Sequence, residues 1–275
     1  MLPVNSSFYL SLQTILLSQQ PVIFIIFKMK KYFLGALIIA LTFACNSNEE
    51  TAQQIIDKAI ENAGGENYKK AEISFDFRKG SYSSSRKGGK FELERILADS
   101  TGTQYRDVVK NEGFTRYYKD TAVQLSDSMK NVYANSVNSV HYFVQLPFGL
   151  NDAAVNKELI GKDTIKDKEY YEIKVTFNAE GGGTDHEDVY MYWINTQNYH
   201  VDYLAYSFEV NEGGLRFRKA YNPRTIEGIR FVDYENYKTD DLDTPLNELD
   251  DLYEARQLEL LSKIENRNIE VNLLN

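Results

Sequence analysis

A chain of 275 residues with 40 acidic against 31 basic side chains, a formal net charge of −9, repels a phosphate backbone and is excluded as a nucleic-acid binder. Its single cysteine rules out an internal disulfide, so stability has to come from burial of apolar surface. Twenty tyrosines and fifteen phenylalanines against one tryptophan and five prolines favour strands, whose pleated faces accommodate aromatic rings.

Residues 1–28 contain two apolar stretches, Phe8 to Leu17 and Val22 to Phe27, separated by Ser18, Gln19, Gln20 and Pro21. They read as an extra N-terminal segment, or as sequence upstream of a true initiator at Met29. Lys30 and Lys31 then precede an apolar run, Tyr32 to Ala44, which has the length of a signal-peptide core and falls short of the ~20 residues that cross a bilayer. Residues 29–44 are therefore expected to direct export. The run Leu41-Thr42-Phe43-Ala44-Cys45 resembles the lipobox of bacterial lipoproteins, in which a small residue precedes a cysteine that becomes the lipidated first residue of the mature protein. The resemblance implies that Cys45 carries diacylglycerol and palmitate and anchors the protein to the outer membrane, facing the periplasm or the cell surface. Residues 45–51 form a polar tether through Asn46-Ser47-Asn48-Glu49-Glu50.

Beyond the tether, residues 52–275 show no linker and are expected to form one domain. Ala52, Ile55, Ile56, Ala59, Ile60 and Ala63 recur at helical spacing, and Gly64-Gly65 supplies the stop. Ile73, Phe75 and Phe77, then Phe91, Leu93 and Leu97, alternate with polar residues, which predicts a hairpin whose long loop is Gly80 to Gly89. Short strands follow at 103–110 and 114–125, with turns at Asn111-Glu112-Gly113 and Lys119-Asp120. Met129, Val132, Tyr133, Ser136, Val137, Val140 and Val144 predict a second helix stopped near Pro147, and residues 151–159 a further short helical turn. Six strands are read at 163–165, 170–177, 188–195, 199–210, 215–221 and 229–237, divided by turns that include Gly181-Gly182-Gly183 and Asn222-Pro223-Arg224. Thr244-Pro245 starts a last helix through Glu254, and Leu258 to Ile264 a closing strand. The fold class is mainly β (α+β): a curved antiparallel sheet or half-open barrel of roughly ten strands covered by two or three helices.

The run "YYEIKVTF…DVYMYWINTQNYHVDYLAYSF…NPRTIEGIRFVDYENY", with Trp193-Ile194-Asn195 before the Thr196-Gln197-Asn198 turn, resembles the repeating hairpins of the LolA, LolB and LppX lipoprotein-carrier superfamily. The opening "AQQIIDKAIENAGGENYKKAEISFDF" resembles the helix-then-strand start of the same fold. The segments "NSVNSVHYFVQLPFGLNDAAVNK" and "GGGTDHEDVYMYWI" resemble DUF6503, a family of bacterial lipoproteins with no established activity. The carrier resemblance implies a curved sheet that holds an acyl chain, another hydrophobic ligand or the lipidated end of another lipoprotein.

Two clusters could carry chemistry. Asp185-His186-Glu187-Asp188 precedes a strand, and on a pleat His186 and Asp188 share one face, where a divalent metal could be held with His141 as a further ligand. A solvated acidic turn and a hydrogen-bonded core-edge His141 are the alternatives. Arg216 and Arg218, beside Tyr221, are expected on one strand face as a receptor for a headgroup or carboxylate. Lys69-Lys70 and Arg86-Lys87 read as loop charge. No Gly-x-Ser-x-Gly elbow, phosphate loop or helical histidine pair is present, so binding is expected over catalysis. A metal-dependent hydrolase or metal-binding module centred on His186 is the alternative function.

Overall fold

A computed structural model of the chain describes residues 49–180, 187–209 and 213–274. Cys45, the export signal and the tether up to residue 48 lie outside the described residues, as do Asp185 and His186.

Helix α1, Ala52–Ala63, begins where the sequence places it. Thr51 caps it reciprocally: its Oγ1 accepts from the Gln54 backbone N–H, and the Gln54 Oε1 accepts from the Thr51 N–H at 2.9 Å. Gly64 ends the helix at φ 154, and a Cβ there would stand 2.9 Å from Tyr68 Cε2 and 3.2 Å from Ile229 Cγ1. That close approach of the chain end to its neighbours requires glycine.

Fourteen strands among the described residues form two antiparallel sheets of seven. The first runs in the order β14, β1, β2, β3, β4, β5, β6 and contains β1 Ala71–Phe77, β2 Gly80–Lys87, β3 Lys90–Ala98, β4 Gln104–Lys110, β5 Gly113–Tyr118, β6 Thr121–Ala122 and β14 Asn266–Leu273. The second runs β13, β12, β11, β10, β9, β8, β7, with β7 Val155–Ile165, β8 Lys168–Phe177, β9 Val189–Asn195, β10 Val201–Phe208, β11 Gly214–Ile226, β12 Ile229–Lys238 and β13 Glu259–Ile264. The chain passes from the second sheet to the first between β13 and β14. Buried Asn266 holds this crossing: its backbone N–H donates to Asp233 Oδ1 at 3.0 Å and its Nδ2 to the Val232 carbonyl at 3.1 Å. Arg224 pairs with the same Asp233 carboxylate at 2.9 Å and donates to the Asn266 carbonyl. Neither sheet closes on itself, in keeping with the expected curved, half-open architecture.

Helix α2, Asp127–Val144, lies between the sheets. Val137, His141 and Val144 are its buried residues, with Val144 packed among Ile73, Phe75 and Tyr82 of the first sheet. Tyr142 and Phe143 turn toward the second sheet, where α1 also buries Ile55, Ile56 and Ala59 against Ile173, Tyr192, Leu204 and Tyr234. Each fully buried isoleucine or leucine contributes about 1.5–3 kcal/mol. The opposite face of the second sheet, with Ile165, Trp193, Leu215 and Phe217, is covered by Leu249 and Tyr253 of the short helix α3, Leu249–Glu254.

The structure corrects four of the expected elements. Gly80 to Lys87 is a strand, paired on both sides, and the turn there is only Gly88-Gly89. Residues 155–159 belong to β7 rather than to a helical turn. Asn222-Pro223-Arg224 sits inside β11 as a register shift between Tyr221 and Arg224, a place where a proline's missing N–H removes no ladder bond. Met129 and Val132 are exposed at the start of α2, so its buried stripe begins later than the spacing suggests.

Candidate functional site

The two faces of α2 differ. Toward the second sheet the space is filled by rings: Tyr142 meets Tyr190 and Phe177, its hydroxyl lies 2.6 Å from that of Tyr192, and Phe143 packs on Tyr206. Toward the first sheet, where β2 and β3 pass beneath the C-terminal half of α2 and the 3-10 turn Phe148–Asn151, lies a solvent-accessible cleft of ≈ 520 Å³. Its apolar walls are Phe91 and Leu93 from β3, Tyr142 from α2 and Phe148 from the turn. The volume falls in the range of pockets that hold small ligands, about 300–1,000 Å³.

The polar groups in this cavity form one chain of contacts. His141 is buried and its Nε2 lies 3.1 Å from the Glu94 carbonyl, which can only accept, so Nε2 carries the proton. Its Nδ1 faces Gln145 Nε2 at 3.4 Å. Buried Gln145 also donates to Ser84 Oγ at 3.0 Å, and its Oε1 accepts from Arg86 Nη1 at 2.6 Å. Burial pushes the His141 pKa down to about 4, leaving the ring neutral at neutral pH.

Arg86 is the outcome of this positioning. Tyr82, Ser84 and Arg86 share the inner face of β2, and the guanidinium sits 5.1 Å from the Phe148 ring centroid. Burial lowers its pKa to about 10, which still leaves it charged. Among the described residues no carboxylate lies within ion-pair distance of it, although the cavity also borders Asp152. A partly buried cation on an apolar wall, with a neutral amide as its hydrogen-bonded partner, fits a carboxylate or phosphate oxygen attached to a hydrophobic chain.

The candidates drawn from the sequence separate. Arg218 lines a smaller cleft of ≈ 180 Å³ on the other side of α2, between Phe143, Val140, Tyr234 and Ile264. Its guanidinium stacks 4.0 Å from the Phe143 centroid and donates to the Tyr206 hydroxyl at 2.7 Å. Arg216 shares the strand face but lies over Phe208 and donates to the Leu215 carbonyl. Tyr221 projects from the opposite face and donates to Glu265 at 3.3 Å, so the three do not form one receptor. Asp188 directly precedes β9, while the two ring nitrogens of His141 on α2 face the Glu94 carbonyl and the Gln145 amide.

A different acidic group does converge. Asp163 of β7, Glu172 of β8 and Asp250 of α3 bring carboxylate oxygens within 4.8 Å of one another. Burial pushes the Glu172 and Asp250 pKa values up, and each is raised further by the surrounding carboxylates Asp163 and Asp251. The sequence shows no sign of this group, because its members are separated by up to 87 positions and share no motif. Arg86 had a fainter signal, the alternation of Tyr82, Ser84 and Arg86 within a serine-rich stretch.

The profile of DUF6503, a family of unknown function, matches residues 30–266. The chain belongs to this family. No curated protein matches the sequence. Among solved structures, the DUF6503 chain is similar to a LolA superfamily protein from Nitrosomonas europaea, at 14% identity and a TM-score of 0.46, over 82% of this chain and 94% of that one. It is similar to a DUF1329 family protein from Desulfovibrio piger, at 9% identity and a TM-score of 0.43, over 77% of this chain and 100% of that one. A putative outer membrane lipoprotein-sorting protein domain from Vibrio parahaemolyticus gives 7% identity and a TM-score of 0.41, over 74% and 98%. Among the described residues, no helix is long and apolar enough to cross a membrane.

Proposed function

We propose that this DUF6503 member is an exported lipoprotein, anchored through Cys45, that binds an amphiphilic ligand with an acyl chain and an anionic head. The observation that carries the reading is the ≈ 520 Å³ cavity between the first sheet and α2, with Arg86 as the charged group on its wall. Phe91, Leu93 and Phe148 would enclose the chain, each buried methylene contributing about 0.8 kcal/mol. Arg86 would receive the head, oriented by the Gln145 amide that His141 and Ser84 hold in turn. The Arg218 cleft, on the other side of α2, is too small at ≈ 180 Å³ to take the same ligand whole. The lipidated end of another lipoprotein would be recognised by the same chemistry, and the outer membrane is where the anchor would place this protein.

Chain purified in mild detergent and released in native mass spectrometry should carry bound acyl species in the mass range of fatty acids or phospholipids. Repeated preparations that show only the unliganded mass would overturn the reading. Labelled palmitate should enter the wild type and not Cys45→Ser. Equal labelling of both, or of neither, removes the anchor from the proposal.

A further inference from the structure

Glu172 is 7% exposed and Asp250 2% exposed, and each has a carboxylate oxygen, Glu172 Oε1 and Asp250 Oδ1, that is buried with no hydrogen-bond partner. Among the described residues no basic side chain pairs with either of them or with Asp163. Buried carboxylates are ordinarily paired or coordinate a metal. The indole of Trp193 is fully buried, and its Nε1–H faces the Glu172 carboxylate without reaching a well-formed hydrogen bond. Trp193 stands directly opposite Glu172 in the β8–β9 register, on the same face of the sheet.

We infer that Asp163, Glu172 and Asp250 form a calcium site that ties α3 to the edge of the second sheet. An all-oxygen, all-carboxylate donor set selects a hard cation, whereas zinc favours nitrogen and sulfur ligands. Oxygens within 4.8 Å of one another suit calcium, whose ligands stand at 2.3–2.6 Å and therefore lie at most about 4.6–5.2 Å apart across the ion. Across magnesium the same limit is only about 4.0–4.2 Å, and its octahedron tolerates less distortion. Asp163 is only half-buried, which leaves a side for water ligands and for entry of the ion. The Trp193 N–H would then donate to a ligating carboxylate and fix its orientation. The β7–β8 hairpin and α3, from distant parts of the chain, would be joined by one ion, which makes the site a clamp on the β12–β13 connection. The acyl cavity lies on the other sheet, and the clamp does not depend on it.

Trp193 is the chain's only tryptophan and reports directly on its neighbour. The full chain, stripped with EGTA, is titrated with CaCl2 while tryptophan emission and calorimetric heat are recorded, and then with TbCl3 while luminescence sensitised by the indole is read. One site per chain, with a saturable emission change, sensitised terbium luminescence displaced by calcium and a raised thermal midpoint, is expected. Glu172→Gln and Asp163→Asn should each weaken calcium binding at least tenfold. Because Asp163 is half-buried, its variant keeps the test valid if Glu172→Gln does not fold. The inference is overturned if wild type shows no saturable response up to about 10 mM calcium, ten times the weak end of extracellular sites. It is equally overturned if Asp163→Asn binds as tightly as wild type, or if magnesium reproduces the response at equal concentration.

Discussion

Replacing Asp107 by alanine should cost more stability than any other single substitution on the first sheet. The side chain is 1% exposed and is held by two arginines: Arg95 Nη2 at 2.7 Å and Arg116 Nε at 2.6 Å, with second contacts from Arg95 Nε at 3.2 Å and Arg116 Nη2 at 2.9 Å. The arginines in turn hold α2, Arg95 through the Ser136 hydroxyl at 2.7 Å and Arg116 by lying 3.5 Å from the Tyr133 centroid. Removing one partner of a buried pair strands the remaining charge and costs about 3–5 kcal/mol. For a unit of this size each kcal/mol shifts the midpoint by about 2–4 °C, so a fall of about 6–20 °C is expected. Circular dichroism during urea and thermal unfolding measures both quantities. An apolar triple replacement, Arg95→Met, Asp107→Leu and Arg116→Met, should recover much of the loss, since no charge is then left buried. A loss below about 1 kcal/mol for Asp107→Ala would refute the view that this triad fastens α2 to the sheet.

Stability should also depend on pH through His141. Its pKa is about 4 when folded and about 6.5 when unfolded, so between those values the unfolded chain takes up a proton that the folded chain does not. The contribution is therefore complete above about pH 6.5 and is lost as the pH falls toward 4, by about 3 kcal/mol in all. The difference in unfolding free energy between wild type and His141→Gln, followed from pH 7 to 4, should show that slope; parallel curves would contradict it. Gly64→Ala should destabilise by more than about 1 kcal/mol, since it adds a Cβ 2.9 Å from Tyr68 at a left-handed φ, and chemical denaturation measures it. Ile173→Ala, at a fully buried position under α1, should lose about 2–5 kcal/mol in the same assay.

The residues whose legibility failed share a cause. Helix α1 is readable because its cap, stripe and glycine stop are local, and the order of strands β8 to β12 because each carries a local apolar and aromatic run, although the turn before β12 lies at Glu227-Gly228 and not at Asn222-Pro223-Arg224. Strand β2 hides because its inner face is Tyr82, Ser84 and Arg86, which carry no apolar alternation. Ser84 is buried only because Gln145, 61 positions later, supplies its partner. Strand β14 completes the first sheet beside β1, nearly two hundred positions away, and nothing within its own eight residues says which sheet it joins. The aromatic abundance was legible as strand content, but not its division: the rings fill the space between α2 and the second sheet and leave the first sheet's side open. Arg86 reads as loop charge because the strand that carries it, β2, has no apolar alternation of its own.

Titration of the full chain with cis-parinaric acid, a fluorescent fatty acid, with palmitate as competitor, puts the cavity itself to the test. A single saturable site displaced by palmitate is expected. Asn138→Trp places a ring at an exposed position on the cavity rim and should reduce affinity sharply. Arg86→Met removes a charge-assisted hydrogen bond worth about 1.5–3 kcal/mol and should weaken binding by about ten- to a hundredfold. No saturable binding by wild type, or undiminished affinity in Asn138→Trp, would contradict acyl-chain binding beneath α2.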